Sequence, residues 1–172
     1  MFRVWKILFL TSMSVLLLAG CNQSLEENAA TGIKAAKEAF DLDIKERTEE
    51  IADVKIYKPA GFAMSDKSDA QNIVFTNKED TYILFINPNE KKGSQLFYDL
   101  LQANPNKKII DEATFTDDGV FGFAAVVQNG KDQVELIASV DGAKMTTLVK
   151  NKKIEEKLTK MMEIVRSVKQ DF

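Results

Sequence analysis

Histidine is absent from all 172 residues, cysteine occurs once, tryptophan once and proline three times. Without histidine the chain lacks the usual general base near neutral pH and the commonest transition-metal ligand, which excludes Ser-His triads, Cys-His nucleophiles and zinc hydrolase sites. A single cysteine closes no intramolecular disulfide, so stability rests on the core. Eleven phenylalanines and a 45% hydrophobic content are enough to build one. Glycines are also few, and the Gly119-x-x-Gly122 pair lies at a strand entry rather than at the strand-to-helix turn of a phosphate cradle.

The first residues are of a different kind. Arg3 and Lys6, with no acid near them, precede the apolar run Ile7 to Leu18. That is the charged and hydrophobic pattern of a signal segment. A spanning helix needs about 20 apolar residues, and this run breaks at Gly20 and turns polar at Asn22. Leu18-Ala19-Gly20-Cys21 then resembles the lipobox read by lipoprotein signal peptidase: an aliphatic residue, two small ones and the cysteine. The resemblance implies cleavage before Cys21, a diacylglycerol thioether on its sulfur and, in many bacteria, a further acyl chain on the new amino group. The alternative is an ordinary signal peptide followed by a coincidental or buried thiol. Each buried methylene contributes about 0.8 kcal/mol, so two or three chains anchor durably where one does not. The lysine-rich, histidine-free composition with such a motif also resembles lipoproteins of low-GC Gram-positive bacteria.

Removing residues 1–20 takes two of the 23 bases and none of the 26 acids, leaving a formal charge of −5. An acidic balance argues against a general affinity for nucleic acid or anionic headgroups. The expected organisation is a signal peptide over 1–20, a lipidated N-terminus and polar tether over 21–31 that reaches at most about 35 Å, and one α+β domain over 32–172.

Within that domain Ile33, Ala36, Phe40 and Ile44 fall at helical spacing, predicting a first helix from Gly32 to near Arg47. Short strands are expected at Val54 to Tyr57, Phe62 to Met64, Ile73 to Phe75 and Tyr82 to Ile86, the last apolar on both faces and therefore central. Ser94 is placed to cap a middle helix in which Phe97, Leu100 and Leu101 share a face, ended by Asn104-Pro105. Three more strand-like runs follow, broken at Asp118-Gly119, Asn129-Gly130 and Asp141-Gly142, pairs suited to two-residue hairpin loops. Val134, Leu136, Ala138 and Val140 alternate with Gln133, Glu135, Ile137 and Ser139, as in a strand with one packed and one less buried face. A closing helix from about Asn151 carries the stripe Ile154, Leu158, Met161, Val165 and Val168, with Glu156 and Lys160 as a supporting pair. The stripe fits the domain's own sheet better than a coiled-coil partner. The predicted fold is α+β: a mainly antiparallel sheet of about six to eight short strands with N-terminal, middle and C-terminal helices packed on it.

From about Lys55 to Lys169 this order, the opening Tyr57-Lys58-Pro59-Ala60-Gly61-Phe62 and the close Met162-Glu163-Ile164-Val165-Arg166-Ser167-Val168-Lys169 resemble small Mog1/PsbP-like domains. The Pro-x-x-Trp that often follows the second strand in that group is missing here, since Trp5 belongs to the signal. What the resemblance implies is a binding or assembly accessory, and no catalytic residue comes with it.

The acidic groups Asp41-x-Asp43 with Glu46, Glu49-Glu50, Asp111-Glu112 and Asp117-Asp118 do not match a calcium loop, and solvated faces or turn chemistry account for them. Thr31-x-x-Lys34 and Thr147-x-x-Lys150 have Ser/Lys-nucleophile spacing with the wrong hydroxyl. Lys91-Lys92, Lys107-Lys108 and Lys150 with Lys152-Lys153 are basic spots able to meet anionic wall polymers or headgroups, with solubility as their plain reading. Phe115, Phe121 and Phe123 are expected in the core. No catalytic, cofactor-binding or metal-ligating residue is expected; Cys21 is the lipidation site and Leu18, Ala19 and Gly20 its recognition residues. The expected function is that of a lipid-anchored extracytoplasmic binding or assembly accessory, whose partners are the bilayer through Cys21 and an envelope protein, with no nucleic acid and no cofactor. The alternatives are an envelope hydrolase built on a carboxylate pair and a small ligand-binding lipoprotein.

Overall fold

The computed structural model describes residues 24–170, so Cys21, its recognition residues and the 1–20 segment lie outside the described residues. Ser24 opens α1 (Leu25–Asp41) through a capping box: its Oγ accepts from the Glu27 N–H at 3.1 Å, and Glu27 Oε2 accepts from the Ser24 N–H at 2.9 Å. This corrects the helix start at Gly32 and, over Leu25 to Thr31, the expected tether. Leu25 to Thr31 are helical and do have something to bury, because Ala29 and Gly32 extend a stripe of small residues through Ala36 and Ala39. The helix also ends at Asp41 rather than near Arg47, leaving Ile44 51% exposed.

Two sheets follow. β1 (Glu49–Ile51) and β2 (Val54–Ile56) pair with the terminal β10 (Lys169–Gln170) in a small sheet of order β1-β2-β10. β3 (Ala63–Met64), β4 (Asn72–Asn77), β5 (Asp80–Ile86), β6 (Lys108–Asp117), β7 (Val120–Asn129), β8 (Gln133–Val140) and β9 (Ala143–Lys150) make an antiparallel sheet of order β3-β4-β5-β9-β8-β7-β6. The α+β class and the three helices agree with the sequence reading. The stretch after the middle helix holds four strands rather than three, since each expected break joins two.

On the inner face α1 lies over β6 and β7, and α3 (Ile154–Ser167) lies over β8 and β9 beside it. Both helices run the same way: the Asn28 side chain donates to Asn151 Oδ1 near their starts, and Phe40 meets Arg166 near their ends. The stripe Ile154, Leu158, Met161 and Val165 is buried in this layer, together with Met162 and Ile164. The expected Glu156–Lys160 pair does not form. Glu156 faces Lys153 and Lys160 turns to Glu163, which is more buried and also draws Lys45.

On the outer face sits the short α2 (Leu96–Gln102). Phe97 and Leu101 pack on Phe121, Phe123, Ala125, Val127 and Ile137, whereas Leu100 points out at 57% exposure, so the expected three-residue face is a two-residue one. Ser94 is not the cap residue, although its Oγ accepts from the Leu96 N–H at 3.3 Å. On β8 the row Gln133, Glu135, Ile137 and Ser139 is less buried only over its first half: Gln133 is exposed and Glu135 half-buried, whereas Ile137 packs under α2 and Ser139 is buried. Tyr82 to Ile86 lies inside the sheet, between β4 and β9, but Ile83 is 48% exposed, so β5 is not buried on both faces as expected; the strands that are so buried are β7 and β8.

The turns divide by mechanism. Asp118-Gly119 closes β6 to β7 with positive φ at both residues. Asp141-Gly142 needs glycine for another reason: a Cβ on Gly142 would lie 2.8 Å from the Asn87 carbonyl oxygen. Asn129-Gly130 is not a two-residue loop, since β8 resumes only at Gln133.

Between β3 and β4, Asp69 Oδ1 accepts from the N–H groups of Gln71 (2.8 Å) and Asn72 (2.7 Å). Those two donors favour the ionised form and hold the carboxyl below the usual carboxylate range. A folded pKa depressed in this way contributes stability that is present above the ordinary value of 3.8 and lost as pH falls through the folded pKa. The Gln71 and Asn72 amide resonances should therefore titrate together with a midpoint below 3.8, and Asp69→Asn should abolish the movement. A midpoint at or above the ordinary value would contradict this account.

Candidate functional site

The parallel helices bring their C-terminal ends to one edge of the sheet, and three loops arrive at the same edge. These are the β5-to-α2 connection, the β6-to-β7 turn and the β8-to-β9 turn. Between them lies a cleft of about 310 Å³, the lower end of the range of small-ligand sites, about 300–1,000 Å³. Its floor is apolar, with Ile86, Val140 and Val165; its rim carries Arg47, Lys91, Lys92, Arg166, Glu90 and Asp141.

The frame of this cleft is held by hydrogen bonds that the sequence pattern does not announce. Asp141 Oδ1 accepts from the Gly93 N–H at 2.8 Å and the Phe121 N–H at 3.0 Å, tying the β5-to-α2 loop to both hairpins. Glu90 accepts from the Ser94 hydroxyl and from Asn87 Nδ2. The two acids on the rim are thus occupied within the domain. Ser167 Oγ accepts from the Tyr57 N–H at 2.8 Å and donates to the Ile164 carbonyl at 2.7 Å. That one hydroxyl physically joins the opening and closing segments quoted in the sequence reading.

The cations differ in how they are held. Arg166 lies with its guanidinium 4.4 Å from the centre of the Phe40 ring, and Nη2 donates to Asp117 at 3.2 Å. Its Nε is buried with no acceptor among the described residues, and the face of the Phe40 ring lies against the guanidinium. Arg47 donates Nε to the Ser167 carbonyl at 2.7 Å, satisfying the end of α3, and among the described residues it has no carboxylate partner. Lys92 reaches Asp118 at 3.2 Å, an exposed pair worth little.

The other basic spots of the sequence go elsewhere. Lys107 pairs with Glu135 and Lys153 with Glu156, far from Lys91-Lys92. Phe115, Phe121 and Phe123 are all buried as expected, but Phe115 joins Phe40 on the inner face while Phe121 and Phe123 meet Tyr98 on the outer one. Thr31 and Thr147 spend their hydroxyls on the carbonyls of Glu27 and Thr81. Among the described residues no group of three or more acids or cysteine converges as a metal site.

A second depression, of about 530 Å³, crosses the outer face where α2 does not reach. Ile83 and Leu148 are half exposed there among threonines and beside the Lys107–Glu135 pair. Isolated exposed aliphatics of this kind are ordinary. Nearby, Lys144 stands 4.9 Å over the Phe97 ring, and burial pulls its ammonium below the usual lysine range.

What Arg47 and Arg166 share was missed in the sequence, yet a signal existed. The chain has three arginines against twenty lysines; Arg3 lies outside the described residues, and the other two line the same cleft.

The molecule is thus an α+β protein with helices on both faces of an antiparallel sheet and a charged cleft at one end. No protein-family model matches the sequence and no curated protein matches it. Among solved structures it is similar to the solution structure of cyanobacterial PsbP (CyanoP) from Synechocystis sp. PCC 6803, at 12% identity over 73% of this chain and 92% of that one, with a TM-score of 0.43. A likeness of that degree transfers no residue and no role. Among the described residues no helix is long and apolar enough to cross a membrane.

Proposed function

We propose that the protein is a lipid-anchored, non-enzymatic binding accessory at the extracytoplasmic face of the cell membrane, and that the end cleft receives its target. The observation that carries this reading is the position of the cleft relative to Ser24. α1 begins at Leu25 and runs 17 residues, about 25 Å at about 1.5 Å per residue, and the cleft lies at its far end. Only Asn22 and Gln23 separate Cys21 from the Ser24 cap. Lipid on Cys21 would hold the domain close to the bilayer with its cleft at the remote end, open to the envelope. The internal occupation of Glu90 and Asp141 speaks against the carboxylate-pair hydrolase.

Two measurements test the reading. Cys21→Ser should release the chain from membranes or leave the precursor uncut; unchanged attachment refutes lipidation. A photo-crosslinker at the cleft residue Ile44 of the lipidated chain should trap an envelope component, while one at Lys131, in the turn between β7 and β8, should not. Equal trapping from both positions, or none from either, would sink the assignment of the cleft.

A further inference from the structure

We infer that the end cleft takes a phosphate group carried by an envelope ligand, and not a headgroup of the anchoring bilayer. The inference rests on the reading of the cleft as a binding surface and adds the chemistry of what enters it. Four cations, from the segment after α1, the β5-to-α2 loop and the end of α3, line a volume of about 310 Å³. A carboxylate has two oxygens and one charge to offer such a rim. A phosphate offers three or four acceptors and up to two charges, which suits donors arriving from separate elements.

The kind of cation matters as much as the number. This chain uses lysine almost everywhere, yet the two arginines among the described residues both stand here. Guanidinium groups present planar forks of donors that match phosphate oxygens, which an ammonium does not. Arg166 is fixed in advance by Phe40 and Asp117, so its charge costs little to organise on binding. Among the described residues Arg47 engages Nε alone, so the rest of its fork faces the cleft as a set of donors for a ligand.

Opposing charges are present and have partners. Glu90 and Asp141 line the cleft, and Asp117 and Asp118 lie at its edge, where they meet Arg166 and Lys92. Among the described residues Arg47 and Lys91 have no carboxylate partner. A ligand phosphate would therefore bind between these two, with Arg166 as the fixed wall. The headgroup source is disfavoured because the cleft sits at the end of α1 away from Cys21, beyond about 25 Å of helix.

The test uses the full chain as purified, in a non-ionic, phosphate-free detergent, titrated with inorganic phosphate and, in parallel, with acetate. Saturable shifts should appear at the Gly93, Gly119 and Gly142 amides with phosphate and be absent with acetate at equal ionic strength. Arg47→Gln should raise the phosphate Kd about tenfold, as expected for loss of one charge-assisted contact, and Lys91→Gln should weaken it as well. Lys131→Gln, in the turn at the other end, should change nothing. No saturable shift, equal response to acetate, or equal weakening in all three variants overturns the proposal. Repeating the titration in discs of neutral and of anionic lipid should return one Kd; weakening by the anionic lipid would assign the cleft to headgroups and also overturn it. Failure here leaves anchoring and crosslinking untouched, whereas failure of the Cys21→Ser release leaves the phosphate titration valid.

Discussion

Phe40→Ala is expected to cost about 3–5 kcal/mol of unfolding free energy, the range for emptying a fully buried aromatic site. Phe40 is 0% exposed and holds three neighbours at once. Its ring centre is 5.5 Å from that of Phe115, the Arg166 guanidinium lies over its face, and Gly122 presses on its edge. The cavity cannot readily collapse, because β6 and β7 behind it are fixed in register by their ladder. Urea unfolding of the protein should show a lower midpoint with an unchanged slope. Phe40→Leu should recover part of the loss but not the contact with Arg166, so its phosphate affinity should stay reduced. A loss below about 1 kcal/mol in Phe40→Ala, the scale of an ordinary surface change, would mean that the end of α1 is not docked as described.

Gly32→Val is the second large effect, at about 1–3 kcal/mol of destabilisation. At an exposed helix position replacing glycine with a good helix former gains up to about 1 kcal/mol. Gly32 faces α3 instead, where an added Cβ would lie 2.6 Å from Ile154 Cγ2 and 3.0 Å from Leu158 Cδ1. Ile154 and Leu158 are themselves fully packed, so relief requires the two helices to separate. Gly32→Ala should lie between the two, with the propensity gain offset by the clash. A melting temperature for Gly32→Val at or above that of the parent would refute the close approach of α1 and α3.

Several features were readable in the sequence because they depend on near neighbours along the chain. Hairpin pairs such as Asp118-Gly119 mark positive φ, and the stripe Ile154, Leu158, Met161 and Val165 marks one helical face. The Ser24-x-x-Glu27 box is equally local, but a polar segment with one large apolar residue, Leu25, reads as a tether. Its fully buried positions are alanine and glycine, and small residues leave almost no hydrophobic signal. The burial of Ile137 on the outer row of β8 has no local signal, because it depends on where α2 lands, and α2 lies far away in sequence.

By itself the sequence determined the α+β class, the order of elements and the exclusion of histidine chemistry, and its signal motif supplied the expectation of an anchor at Cys21. These follow from periodicity, turn residues and composition, which act over a few residues or over the whole chain at once. Only the tertiary structure decided that Arg47 and Arg166, 119 positions apart, share one cleft with Lys91 and that this cleft lies opposite Ser24. Such a meeting has no local cause. It arises because α1 and α3 lie side by side in the same direction on one sheet face, so that their last turns and three distant loops end at one edge.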